Sequence, residues 1–253
     1  MRIATRSAVL FAAVAMLALP LVARAQLTSE PIQGRFPDQI GDANLVAGKD
    51  QGKSATNVLT TIYDCTSSAA NFGFSSTDLA SVFGDELIMA GTGLLSTHKF
   101  SIFNGGSSAG NLLTATVAVS FFDAATSAPL GGYSTNINFG PGLPPGNFSV
   151  ITTTALDPLL IILTTNDVIA LQTVTAKTGA ANRLGIASFS PIVVGSSPVA
   201  MYINSSTVGP PGFYNITSGG ATLPAHPGHF LAVNPPPVGT TSKSWGTLKK
   251  LYR

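Results

Sequence analysis

The sequence predicts an all-β protein, an antiparallel β-sandwich of jelly-roll-like form built as a single domain. Three observations lead there. Apolar and polar residues alternate with period two rather than 3.6. The connections between alternating runs carry Gly, Pro and Asn, the residues of tight turns. Beyond the first 25 residues, no long stretch has helical periodicity. Many short strands separated by turn chemistry are the signature of two stacked sheets.

The clearest strand runs from Leu112 to Phe122. Leu113, Ala115, Val117, Val119 and Phe121 fall on one side, and Thr114, Thr116 and Ser120 on the other. Such a strand has one buried and one wetter face. His98 to Phe103 alternates in the same way, and Asn104-Gly105-Gly106 between the two runs is a strong turn signal, so the pair reads as a hairpin with a long loop. Further strand-like runs recur at short spacing: 58–63, 86–90, 132–138, 148–154, 159–164, 167–175, 184–189, 199–204 and 230–233. Gly140-Pro141-Gly142-Leu143-Pro144-Pro145-Gly146 and Gly209-Pro210-Pro211-Gly212 read as loops, and Asp78 to Phe83 as a short helical turn.

The ends differ in character from the middle. Arg2 and Arg6, the uncharged apolar stretch from Ala8 to Ala23, and the small-x-small triplet Ala23-Arg24-Ala25 have the order of a cleavable signal peptide, residues 1–25, with the cut before Gln26. The competing reading is a membrane anchor, but the apolar stretch falls short of the roughly 20 residues a bilayer span needs, so no transmembrane span is expected after cleavage. Residues 26–54 are polar and glycine-bearing and read as a loose lead-in to a β-sandwich domain at 55–234. Residues 235–253 read as a proline-rich linker and a basic tail containing Trp245, the only tryptophan. The tail is either a sorting or anchoring element or a frayed end.

Charged residues make up 9% of the chain, against about 25% in ordinary soluble domains, and none lies between Leu184 and Ser242. Few charges therefore guard the sheet edges. The presequence holds three of the 13 basic residues and none of the 11 acidic ones, so the remainder is close to neutral. With no basic stripe, nucleic acid is not a partner. Cys65 is the only cysteine, which rules out an intrachain disulfide; a buried thiol beside a strand is expected, with pairing between chains as the alternative.

The run Gly84-Asp85-Glu86-Leu87-Ile88-Met89-Ala90-Gly91, preceded by Ile62-Tyr63-Asp64 and followed by a Phe-rich strand, resembles a class of secreted bacterial β-sandwich proteins in which such a strand opens the domain. The ending around Trp245-Gly246 and Leu251-Tyr252-Arg253 is similar to short C-terminal tails of exported bacterial proteins. The resemblance covers residues 56–233 and the tail. It implies a jelly-roll-like fold and an envelope or extracellular location, and no activity.

Several groups of residues have the composition of a chemical site. Gly106-Ser107-Ser108-Ala109-Gly110 matches G-x-S-x-G, with acids and then histidines following in α/β-hydrolase order. Its context is wrong, because the elbow must be a strand-to-helix turn and here it joins two strands. His226-Pro227-Gly228-His229 offers two imidazoles to a metal, although structural zinc takes four ligands and Pro-Gly reads as a turn. His98 shares parity with Phe100 and Ile102, so a core-edge position is expected. Asp64, Asp85 and Asp167 are candidates for calcium, which takes carboxylates and loop carbonyls; solvated strand-end acids are the plainer reading. No other cofactor is indicated. Tyr133, Tyr202, Phe213 and Tyr214 lie at or near expected loops and are candidate stacking platforms for a sugar. Three N-x-S/T sequons, at Asn147, Asn204 and Asn215, read as incidental.

The function expected from all this is a non-catalytic secreted or cell-surface protein with a structural or adhesive role. Its partner would be a surface glycan or another envelope or matrix protein. A carbohydrate-binding module and a secreted hydrolase of unrecognised kind are the alternatives.

Overall fold

Period-two alternation with β-branched and aromatic residues on one parity favours extended chain, because one face can be buried while ladder hydrogen bonds satisfy the backbone. A computed structural model describes residues 26–43, 59–198, 200–207, 209–218, 221–222 and 226–234, and among them it contains strands and no α-helix. The expected presequence and the C-terminal linker and tail lie outside the described residues.

The N-terminal stretch forms β1 (Gln26–Thr28), β2 (Gly34–Arg35), β3 (Gln39–Ile40) and β4 (Asp42–Ala43). Longer strands follow: β5 (Thr60–Asp64), β6 (Ala70–Ser76), β7 (Val82–Ile88), β8 (Gly93–Asn104), β9 (Leu112–Asp123), β10 (Pro129–Leu143) and β11 (Asn147–Thr153). A 3-10 turn at Asp157–Leu159 leads to β12 (Ile162–Leu163), β13 (Asp167–Gly179), β14 (Leu184–Phe189), β15 (Met201–Ser205), β16 (Gly209–Ser218), β17 (Ala221–Thr222), β18 (His226–Pro227) and β19 (His229–Asn234).

These strands make two sheets. One has the order β1-β16-β15-β7-β13-β9-β10-β4, with β17 added on β16. The other is centred on β8, which pairs with β11 and β12 along one side and with β14 and β19 along the other. Outside these lie β2 and β3 on β11, β6 and β18 on β14, and β5 on β19. Side chains of both sheets meet in one core. Val117, Val119, Phe121, Ile137 and Val168 come from the first sheet, and Leu95, Phe100, Ile151 and Leu231 from the second. Each is almost wholly buried, and burying such a side chain stabilises by about 1.5–3 kcal/mol.

Two bulges decide which residues face this core. On β8, Ala232 and Val233 of β19 pair with Thr97 and Leu95, so Ser96 is the extra residue. The parity flips there: Leu95 is buried before it, and His98, Phe100 and Ile102 after it. On β9, Ala115, Val117, Val119 and Phe121 are buried as expected, but Leu113 is 40% exposed. Leu112 takes the buried place instead, opposite Leu143 and Gly179, beyond irregularities in both neighbouring strands.

Four other expectations are corrected. The stretch expected as a loose lead-in is paired as far as Ala43. β1 runs parallel to β16, β2 and β3 parallel to β11, and β4 antiparallel to β10. Glu30 fastens it further: its backbone exchanges hydrogen bonds with Gly73 (2.8 and 2.9 Å), and its carboxylate accepts from Ser75, from the Gly106 N–H (3.0 Å) and from Arg183 (3.2 Å). Pro210 and Pro211 lie within β16, in its irregular pairing with β15, rather than in a loop. The run 159–164 keeps only β12 as strand, because Pro158 helps start the 3-10 turn. The turn at Asp78 closes with Ser81 N–H donating to Asp78 O (3.0 Å), and β7 begins at once, so Phe83 is strand.

Candidate functional site

The four aromatic candidates do not form an exposed platform. Tyr133 lies on β10 facing the core, 8% exposed, with its hydroxyl 2.7 Å from Nδ1 of His98. Tyr202 and Tyr214 are buried on β15 and β16, where the Tyr214 hydroxyl donates to the Pro210 carbonyl. Phe213, half-buried, packs edge-on against Tyr202 with centroids 5.5 Å apart. Tyr214 packs with Phe74, Phe83 and Met201, and Tyr202 and Phe213 pack with Phe122, Ile169 and Leu171 in a separate apolar cluster.

The acids are dispersed. Asp64 is buried and closes a turn, accepting from Thr66 (3.2 Å) and from the Ser67 N–H (3.1 Å) and hydroxyl (2.5 Å). Asp85 is fully buried on β7 and accepts from the Ser197 hydroxyl (2.8 Å) and the Glu86 N–H (2.9 Å). Burial holds its carboxyl well above the usual carboxylate range. Asp167 begins β13, and its buried Oδ1 has no hydrogen-bond partner. Among the described residues, no group of three or more His, Cys, Asp or Glu is placed to hold a metal ion.

His226 and His229 do not face one another as a ligand pair. The His226 N–H donates to the Ser188 hydroxyl (3.0 Å), and its Nδ1 has no partner. His229 turns into the core and meets His98, with Nδ1 3.1 Å from the His98 Nε2 and the rings 12° apart. His98 is thus a central core residue rather than a core-edge one. The Cys65 thiol is buried beside this pair. It accepts from the His229 N–H (3.2 Å) and donates to the carbonyl of Pro227 (3.1 Å) or His229 (3.3 Å). Burial pushes the thiol up to about 12. Tyr63, on β5, is fully buried with its hydroxyl unpartnered, and burial beside Asp85 and Cys65 raises it. A seam of polar groups therefore crosses an apolar core. No local pattern signals it, since His98 and Tyr133 lie far along the chain from Tyr63 and Cys65 and from His229.

Ser108 of the G-x-S-x-G match lies in the loop joining β8 to β9. Its hydroxyl donates to Asn182 Oδ1 (3.3 Å) and accepts from the Asn182 N–H (3.0 Å).

The exposed chemistry lies elsewhere, on β9, β10 and β13. Thr114 stands between Asn138 and Thr178 in register, and Thr116 between Asn136 and Ala176. The Thr114 and Thr178 hydroxyls are 2.7 Å apart, and Thr116 donates to Asn136 Oδ1 (2.8 Å). That bond leaves the Asn136 NH2 as a donor toward the surface. Where β4 meets this face, Ile40, Asp42, Thr114, Thr116, Asn136 and Asn138 line a groove of about 280 Å³, near the lower limit of about 300 Å³ for small-molecule sites. No basic or aromatic side chain lines it. Comparison with protein families, with curated proteins and with solved structures finds no match for this chain.

Proposed function

We propose that this chain is an exported, non-catalytic β-sandwich of jelly-roll type with a structural or adhesive role outside the cell or at its surface. The observation that carries the reading is the hydroxyl and amide face of β9, β10 and β13. Three long strands present Thr, Asn, Ser and Gly in register, with neighbours already hydrogen-bonded to each other. Such a face meets a neutral, hydroxyl-bearing surface with little ordering of side chains. The presequence pattern supports export, and the low charge suits association with a glycan or an envelope or matrix protein.

The test is retention of the purified protein on whole cells and on envelope or matrix material. Thr116→Lys with Asn136→Lys, both outward-facing, should abolish retention and leave the thermal midpoint nearly unchanged. Unaltered retention, or hydrolase activity that disappears in Ser108→Ala, would overturn the reading.

The groove beside Asp42 favours a second reading, a neutral-glycan-binding module. A carboxylate, two carboxamides and two hydroxyls both donate and accept, as sugar hydroxyls require, and Ile40 offers an apolar edge. A glycan array without a hit lost on Asp42→Ala would remove it.

A further inference from the structure

We propose that the His98–His229 pair is an acid-operated latch that holds the C-terminal strand β19 in its sheet at neutral pH and releases it in mild acid. His98 is on β8 and His229 on β19, with Leu231 opposite His98 and Phe100 opposite His229. Nε2 of His98 lies 3.1 Å from Nδ1 of His229, and Nδ1 of His98 lies 2.7 Å from the Tyr133 hydroxyl on the other sheet. The three groups form a line in which each contact needs one donor and one acceptor.

With both rings neutral the line is complete in either direction. Tyr133 can donate to His98, which then donates to His229 from Nε2. In reverse, His229 donates from Nδ1 to His98, which donates to Tyr133. One added proton leaves the line itself intact: a charged His229 donates from Nδ1 to His98, which donates to Tyr133, and a charged His98 donates to both neighbours. What the proton adds is a cation in the core, which burial disfavours.

Among the described residues, no ion pair compensates that charge. Phe121 from β9 and Phe100 from β8 pack on His98, with ring centroids 5.3 and 5.6 Å away. Tyr133 comes from β10 and Thr153 from β11. The described titratable groups on the elements packed around the pair are the Cys65 thiol, Tyr63 from β5, Asp85 from β7, whose carboxyl burial holds well above the usual carboxylate range, and His226 from β18. Two further side chains nearby are engaged elsewhere: Lys99 lies over the Phe230 ring (4.7 Å), and Asp64 accepts from Thr66 and Ser67. Among the described residues, no carboxylate is hydrogen-bonded to either imidazole. Burial accordingly holds both low, His98 well below its usual value, helped by its neighbour His229, and His229 down to about 4.

The sign follows. A histidine whose folded value lies below its unfolded value of about 6.5 contributes stability that is full above that pH and is lost as pH falls toward the folded value. The loss falls on the seam between β8 and β19. β19 is also held by β5, so its release opens that ladder too and takes β5 out of the sheet. Its release uncovers Tyr63, Leu95, Leu231 and Val233.

Amide exchange followed by mass spectrometry between about pH 7 and about pH 4.5 tests the latch, after correction for intrinsic rates. Opening of residues 229–234 should rise about tenfold or more per pH unit or two, with β9 still protected. Histidine ¹⁵N spectra of the unaltered protein should show two imidazoles neutral down to about pH 5. His226→Gln should change neither result, and His98→Phe with His229→Leu should make exchange in β19 independent of pH. If that double variant does not fold, the ¹⁵N titration decides. The latch is overturned by ordinary midpoints near 6.5 for both core imidazoles, by unchanged protection in β19, or by equal loss in β9.

Discussion

Asp85 shows how one side chain can set a pH dependence opposite to that of most carboxylates. It is fully buried, with one hydroxyl and one N–H as donors and no cation beside it. Its carboxyl is raised by burial first of all, so the folded chain keeps a proton that the unfolded chain loses. Such a group contributes stability that is fully present below the ordinary value of about 3.9 and is lost as pH rises through the folded value. Asp85→Asn removes that loss, and its amide can donate to the Ser197 oxygen while that hydroxyl donates to the Pro198 carbonyl. The variant is expected to gain about 1 kcal/mol or more at neutral pH, measured by urea unfolding at pH 7 and pH 4. A loss of about 2 kcal/mol at pH 7 would mean the carboxylate is ionised and paired.

The strands themselves depend on close approach at particular glycines. A Cβ on Gly185 would lie 1.8 Å from the Phe74 carbonyl oxygen, across the β14–β6 pairing. Gly185→Ala must separate those strands, and a destabilisation of about 3 kcal/mol or failure to fold is expected, read from the denaturant midpoint; a change below about 1 kcal/mol would contradict the close approach. Gly73, on β6, gives way in the same manner to the Phe103 ring. These contacts explain why some strands were legible in the sequence and others were not. β9 and the core-facing part of β8 carry long alternations of large and small residues, and both were evident. β6, Ala-Asn-Phe-Gly-Phe-Ser-Ser, shows Gly and Ser where packing needs small groups, so it imitates a loop. β16 opens on Gly-Pro-Pro-Gly and is strand because an irregular register accommodates the prolines. The candidate sites were less legible still. Parity placed His98 inward, but its partner His229 is 131 residues away, and only the sheet order brings them together. Tyr133, beside Gly131 and Gly132, had the composition of an exposed turn and the register of a core strand.

On the scale of the whole molecule, the first described residues and the last are both built into the sheets. Glu30 joins the N-terminal stretch to β6, to the β8–β9 loop and to Arg183 through partly buried contacts. Glu30→Ala is expected to lower global stability by only about 1 kcal/mol, since the ion pair is partly exposed. Amide exchange within 29–43 should rise far more than in β9, and equal protection in variant and parent would count against this anchoring role. At the other end, β19 lies between β5 and β8, so the last described strand belongs inside its sheet. β5 has no other strand partner there and must wait for it. A ribosome delivers residues 229–234 only after every other described strand has emerged, so this sheet closes late, whatever the order in which its other ladders form. Until that moment β5 and β8 have no strand to join them, and the core on that side cannot be sealed.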